Sequence, residues 1–302
     1  MDPAPSLSTQ KVLQLERRRG LSYRQFIEEH AIPRRPVVLE DAIKDWPALK
    51  KWSPDFFRTR YGTRQVTIDR KTHSLAEIID LAERSTPDNP APYYRNIVVH
   101  EAYPELLSDL SPMPDCCTPN WYHSAGFVLL RKLKLMMGGG DYELFIGGAG
   151  RSFPYLHFDA PGAHSFLSQV YGRKLLVLFS PQDTPFLYAK KGGNFFSSEL
   201  NDLDRPDLTR FPLFPQATRI EAEVHAGDTL FIPCGWWHSA RMLSFSITLG
   251  IDVANATNWD FVTDFMSKVA YRQKPILGRP YIAYVRAVGA LKMWTESLGR
   301  KK

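Results

Sequence analysis

Short runs in which apolar and polar residues alternate, each cut off by glycine or proline, fill the middle of the chain. Between residues 127 and 253 they read "ELFIGG", "HSFLSQVYG", "KLLVLFSP", "ATRIEAEVHAGDTLFIP" and "SFSITLGIDV". Period-two runs with turns between them and no amphipathic helices interposed predict an antiparallel barrel or sandwich, not a doubly wound sheet. The stretch 175–179 is apolar without alternation, which predicts a strand covered on both faces, with the N-terminal helices as the obvious cover. Gly227-Asp228 reads as a hairpin turn and Thr229 to Ile232 as a strand alternating inward and outward. Pro233-Cys234-Gly235 reads as a turn that delivers Trp236, Trp237 and His238 to the barrel mouth.

The period changes on both sides of this block. Upstream, Ser22 with Gln25 forms a capping-box signature before "YRQFIEEH", Ser53-Pro54 opens "DFFRTRYG" with Gly62 closing it, and Ser74 with Glu77 opens "LAEIIDLAERS". Three helices are predicted there, with "PVVLED" and "RQVTID" as strands between them. Residues 84–125, rich in Pro, Asn, Asp and Ser, predict loops with few strong elements. Downstream, Asn258 caps "WDFVTDFMSKVAY", where Phe261, Phe265 and Met266 share a stripe. "PYIAYVRAVGALKMWTESL" repeats the pattern with Ile282, Val285, Leu291, Trp294 and Leu298. The expected organisation is a helical or mixed N-terminal region over 1–125 packed on a barrel at 126–256, then C-terminal helices at 257–302. Their stripes either pack on their own barrel or hold a second copy of the chain as a homodimer.

At 302 residues, 44% hydrophobic and 13% aromatic, the chain can bury a large core. It holds no run of roughly 18 apolar residues, and its first twenty residues lack an apolar signal core. The expectation is a protein without membrane contact, cytoplasmic, with the nucleus open. The charge of +6, from 38 Lys+Arg against 32 Asp+Glu, gathers partly in Arg17-Arg18-Arg19 and the final "GRKK". It permits a polyanionic partner without indicating one. Cys116, Cys117 and Cys234 form no even framework and read as buried free thiols.

Chemistry concentrates in "FPYLHFDAPG". His157 and Asp159, two apart, point to one face of an extended segment. Taken alone, that pair is better read as an ordinary polar pair on a half-buried strand. His238, in "GWWH" about eighty residues on, changes the balance. Two imidazoles and one carboxylate on one face of an ion make the facial triad of non-haem iron(II) oxygenases, with positions left open for a co-substrate and oxygen. Mononuclear zinc hydrolases use the same ligand types. Lys174 opens a strand that otherwise runs apolar. Pointing inward it is a costly buried cation unless an anion meets it; pointing outward it snorkels into solvent. The far carboxylate of 2-oxoglutarate would be such an anion, whereas hydrolysis at zinc needs none, so beside the triad the inward orientation is favoured.

The blocks "YELFIGGAGRSFPYLHFD", "SFLSQVYGRK", "LFSPQDTPFLY", "AGDTLFIPCGWWHSA" and "SFSITLGIDV" together resemble the JmjC and cupin-like iron(II), 2-oxoglutarate-dependent hydroxylases, relatives of the factor that inhibits hypoxia-inducible factor. Upstream, "FIEEHAIPRRPVVLEDAIKDWPALKKWSPDFFRTRYGTRQVTI" extends the resemblance to about residues 22–260. It implies a mainly β fold, a double-stranded β-helix of the cupin or jelly-roll type with N-terminal helical cover and C-terminal helices. In it His157, Asp159 and His238 bind iron(II) and Lys174 holds the far carboxylate of 2-oxoglutarate. Gln169 and Lys174 fall on the family's Gln-x-x-Gly-x-Lys pattern. Ser165, with His164 as competitor, falls where relatives often place an asparagine near the co-substrate. Pro154 stands where relatives carry threonine or serine, so Tyr155, or Thr248 from another strand, is expected to supply that contact.

The implied reaction is oxidative decarboxylation of 2-oxoglutarate to succinate and carbon dioxide with molecular oxygen, coupled to C–H hydroxylation of a protein side chain, a tRNA base or a small molecule. Histone-lysine demethylases of the family usually carry glutamate at the position of Asp159, which implies hydroxylation over demethylation. Two other readings stay open: another cupin-type metalloenzyme such as a zinc hydrolase, and a catalytically silent barrel serving as a binding or dimerisation module. Trp236 and Trp237 are expected to pack, and Tyr188, Lys190 and Lys191 to sit on a solvated loop.

Overall fold

The chain folds around two facing β-sheets in the computed structural model, which describes residues 6–7, 10–124, 126–127, 140–273 and 275–299. The strands are β1 (Val12–Gln14), β2 (Arg17–Arg18), β3 (Val37–Leu39), β4 (Gln65–Ile68), β5 (Lys71–Ser74), β6 (Tyr94–Val98) and β7 (Tyr142–Gly147). They continue with β8 (His164–Tyr171), β9 (Arg173–Phe179), β10 (Arg219–His225), β11 (Thr229–Ile232), β12 (Trp237–Met242) and β13 (Ser246–Val253). The helices are α1 (Tyr23–Phe26), α2 (Ala48–Lys51), α3 (Pro54–Tyr61), α4 (Leu75–Glu83), α5 (Val99–Ala102), α6 (Trp259–Gln273) and α7 (Pro275–Gly299). Arg300 to Lys302, the basic end, lies outside the described residues.

The smaller sheet runs β1-β10-β9-β12 and the larger β2-β3-β11-β8-β13-β7-β6. From β8 onward the chain passes repeatedly from one sheet to the other, which is the winding of a jelly-roll barrel. Between the sheets lies an apolar plug of Val38, Leu176, Leu178, Val224, Leu230 and Ile232. The capping signatures become real caps: the Ser22 and Ser74 side chains accept from the Gln25 and Glu77 amides in reciprocal boxes, and Ser53 accepts from the Phe56 amide. The first helix is shorter than its pattern, giving way after one turn to a π turn over Ile27–Ala31.

The structure departs from several of these expectations. The outer face of β9 is not covered by the N-terminal helices. Leu175, Val177 and Phe179 pack under the 180–217 segment, against Leu187, Leu200 and Phe214, while the N-terminal helices cover the outer face of the larger sheet. Gly227-Asp228 is a turn but not a hairpin, because β10 pairs with β9 and β11 with β3 and β8. β11 alternates inward and outward as expected, but both of its faces are covered: all four residues are buried, one set facing the barrel interior and the other the N-terminal layer. The 84–125 region is not all loop, since it contributes β6 to the edge of the larger sheet and α5 after it.

The C-terminal helices pack on the body through Trp259, Val262, Met266, Ile282 and Val285. Farther along α7, Tyr284 and Leu291 face solvent. The three cysteines are free and buried. Among the described residues, no helix is long and apolar enough to cross a membrane.

Candidate active site

The two histidines meet because their backbones pair directly. The short extended piece holding His157 adds to the free edge of β12: the His157 amide donates to the His238 carbonyl at 3.1 Å and the His238 amide to the His157 carbonyl at 2.6 Å. Cross-strand partners project side by side, so the ring centroids lie 4.4 Å apart. Alternation then carries Asp159 to the same face. His157 Nε2 is 3.6 Å from Asp159 Oδ1, and His238 Nε2 is 3.5 Å from Asp159 Oδ2. Trp237 points the other way, packing edge-on against Phe158 and donating to Thr184 Oγ1.

Each imidazole donates its Nδ1 hydrogen to a backbone carbonyl, His157 to Tyr155 and His238 to Trp236. That tautomer leaves both Nε2 lone pairs aimed at the shared space. Burial, and then the neighbouring His238, push the His157 imidazole down to about 4, so it is neutral at physiological pH. Burial opposes the charge of Asp159, but the two imidazoles and the Ser165 hydroxyl outweigh it and hold the carboxyl below its usual range. Two imidazole nitrogens and one carboxylate oxygen on one side of an open space suit a divalent iron ion.

Ser165 touches this set. Its hydroxyl lies 2.6 Å from Asp159 Oδ2 and also bonds Asp252 Oδ1. One hydroxyl hydrogen cannot serve both oxygens. Burial first, and the charge of Asp159 next, push the Asp252 carboxyl well above the usual range, toward the form that can donate to the Ser165 oxygen. His164, the competing choice, faces away: it bonds Thr257 through Nε2 and accepts from the Cys234 amide.

Lys174 points inward. It is only 3% exposed, its Nζ donates to Thr248 Oγ1 at 2.6 Å, and among the described residues no carboxylate pairs with it. Burial pushes its ammonium down to about 7. Thr248 in turn donates to Gln169 Oε1, and Gln169 donates to the Ser246 hydroxyl and the Tyr171 carbonyl. Gln169 thus braces Thr248 from behind.

A cavity of about 390 Å³ joins the three triad residues to Lys174, Thr248 and Ser165. Tyr155 does not line it. Its ring packs edge-on against His157, 5.1 Å between centroids, with Lys190 6.0 Å from it on the loop. Tyr188 is a packing residue, set against Phe211 with its hydroxyl accepting from the Leu213 amide. The cavity also gathers residues that sequence reasoning passed over: Tyr93, Glu143, Phe145, Phe153 and Asp252. Period two gave a usable signal for two of them. Asp252 lies four residues beyond Thr248 on β13, and Glu143 lies two before Phe145 on β7. Phe153 stacks on His157 at 4.6 Å and 19°, and separates this cavity from a neighbouring groove of about 710 Å³.

A family model described as a cupin-like domain matches residues 23–264. Among curated proteins, the chain is similar to lysine-specific demethylase 8 of Xenopus tropicalis, 29% identical over 76% of this chain and 50% of that protein. It is similar to JmjC domain-containing protein D of Dictyostelium discoideum, 28% identical over 76% of this chain and 53% of that protein. To tRNA wybutosine-synthesizing protein 5 of Mus musculus it is 31% identical, over 79% of this chain and 77% of that protein. The chain spans about half the length of the demethylase-type and JmjC-domain relatives.

Proposed function

Because the chain belongs to the cupin-like, JmjC-type family of oxygenases, we propose that it is an iron(II)- and 2-oxoglutarate-dependent hydroxylase. The observation that carries this reading is Lys174: a buried cation without a counter-carboxylate among the described residues, in the cavity that holds two imidazoles and a carboxylate. A zinc hydrolase has no use for that charge. A small dicarboxylate does.

His157, Asp159 and His238 would hold the metal, their orientation fixed by the two carbonyl acceptors and by Ser165. Lys174 and Thr248 would grip the far carboxylate of 2-oxoglutarate, with Thr248 supplying the hydroxyl that Pro154 cannot. Phe145, Phe153 and Leu167 make the apolar walls that exclude water from the cavity. Iron(II) bound there with 2-oxoglutarate and molecular oxygen supplies the oxidising power that converts a substrate C–H to C–OH as 2-oxoglutarate becomes succinate and carbon dioxide. The substrate is a protein side chain, a tRNA base or a small molecule, the first two in keeping with the names of the relatives.

Purified protein given iron(II), ascorbate and 2-oxoglutarate is expected to form succinate slowly without any substrate. Succinate no higher than in a His157→Ala, Asp159→Ala control, with zinc as the metal retained, would overturn the hydroxylase in favour of the zinc enzyme. Succinate at control level with no metal retained would leave the silent barrel. A second copy of the chain is the proposed partner of the α7 stripe that runs through Leu291, measured by light scattering; a monomer at micromolar concentration sinks it. The cytoplasm is the proposed location, tested by cell fractionation.

A further inference from the structure

The wall between the cavity and the neighbouring groove is incomplete at one point on β12. His238, Ala240 and Met242 share the inner face of that strand, and Met242 is the register partner of Lys174. On the reading already proposed, on which this inference rests, 2-oxoglutarate stretches from the triad to Lys174, and Ala240 lies abreast of its middle. The segment that covers the edge of β12 bulges there. Ser152 bridges to Arg241 and His157 to His238, so residues 153–156 face only Ser239 and Ala240. In a regular ladder Tyr155 would exchange both backbone bonds with Ala240. Instead the Phe153 amide donates to the Ala240 carbonyl, and the Tyr155 carbonyl accepts from His157 Nδ1. The His238 and Met242 amides donate toward this edge, so the Ala240 amide points there too, and among the described residues it has no acceptor.

Phe153, Ser239 and Ala240 border both the cavity and the groove. Ser239, the register partner of Val177, turns outward to the groove. It is 8% exposed, and its hydroxyl has no hydrogen-bond partner among the described residues. The weak point is thus lined by one methyl group, a spare amide and a spare hydroxyl. Only the Phe153 ring, stacked on His157, closes it. Turning that ring about its Cα–Cβ bond breaks no backbone hydrogen bond, because the Phe153 amide keeps its hold on Ala240. Unmet donors in a buried place are costly, and a carboxylate passing between them satisfies both.

We propose that this point is a side gate: 2-oxoglutarate enters and succinate leaves through the groove, past Phe153, Ser239 and Ala240, while the substrate occupies the cavity rim at Asn96 and Asp141. Long-range charge does not choose the route, since Arg205, Arg219 and Arg241 in the groove are matched by Asp202, Asp204 and Glu221. The spare donors and the thin wall do. A large substrate seated on the rim closes that end of the cavity, and the groove stays open behind the β12 edge. Co-substrate exchange and substrate release then need not follow a fixed order.

The test is stopped-flow binding of 2-oxoglutarate to the full chain loaded with zinc(II), followed by tryptophan fluorescence. The concentration dependence of the observed rate gives the association and dissociation rate constants separately. A residue on a route changes both by one factor and leaves their ratio alone, whereas a residue of the binding site changes the ratio. Ser239→Phe, which fills the groove side of the gate, is expected to slow both about fivefold or more with Kd unchanged. Asp141→Phe, equally bulky but on the rim, is expected to change neither by more than about twofold. Should Ser239→Phe fail to fold by circular dichroism, Asn201→Trp fills the groove from its exposed opposite wall, and the same joint slowing is expected. Unchanged rates in the groove variant, slowing by the rim variant alone, or a raised Kd at an unchanged association rate in Ser239→Phe each overturn the gate and leave the hydroxylase standing. Failure of the wild-type protein to bind 2-oxoglutarate overturns both.

Discussion

Lys174 holds its charge against the tendency of its surroundings to remove it. Replacing it with methionine, close in volume and uncharged, is expected to raise the stability of the ligand-free protein by about 1–3 kcal/mol while abolishing 2-oxoglutarate binding; urea denaturation and titration calorimetry read the two effects. A structural lysine would lose stability instead. Its ammonium titrates at about 7 in the folded chain, below the roughly 10.4 of an unfolded lysine. Between those values the unfolded chain binds more protons, so Lys174 makes the ligand-free protein gain stability as pH rises through that window. The co-substrate needs the charged form and has the opposite dependence: its affinity is expected to fall about tenfold per pH unit above 7, measured by titration from pH 6 to 9. At this scale the sequence was legible where a residue broke its local pattern, as Lys174 does in an apolar run and His157 and Asp159 do between prolines. Glu143 and Asp252 stand in ordinary alternating strands, and only their even spacing from Phe145 and Thr248, once those are known to face inward, marks them as inward carboxylates. Tyr155 shows the converse. It sits beside the first histidine in sequence, but its ring packs on the outer side of that histidine.

The elements that position these residues depend on a few tight corners. Gly172 turns the chain from β8 into β9, two residues before Lys174, with φ at +72° and the site of a missing Cβ only 1.7 Å from the Phe245 carbonyl oxygen. Gly172→Ala must shift backbone as well as adopt a left-handed conformation. A loss of about 3 kcal/mol or more is expected, together with weaker 2-oxoglutarate binding, as read by denaturation and calorimetry on the same sample. The strands β3, β4, β7 to β11 and β13 were readable from alternation and turn residues, and the helix starts from their caps, whereas β1, β2, β5, β6 and β12 were not. Nor was the pairing of strand with strand. Gly227-Asp228 has the chemistry of a hairpin, but the flanking strands part to opposite sheets because β9 and β8 offer each a longer partner. β6 escaped notice because Asn96, at φ +56°, breaks its alternation where the register against β7 shifts.

For the whole molecule, the N-terminal region does more than lie on the barrel. β1 pairs in parallel with β10 in the smaller sheet, and β3 pairs antiparallel with β11 in the larger. A fragment of residues 126–256 alone would expose both edges together with the apolar outer face of the larger sheet. It is expected to aggregate at micromolar concentration, seen by light scattering, where the full chain stays dispersed. A well-dispersed, folded fragment would show that the N-terminal layer is dispensable.

The pairing of β1 with β10 also sets an order in time. Val12 leaves the ribosome well before its partner Arg219, which follows more than two hundred residues later. At about 5–20 residues per second, the early strand waits on the order of ten seconds or more with its edge unsatisfied. Closure of the smaller sheet therefore waits on the release of β10, and the nascent chain is exposed to misassociation in that interval.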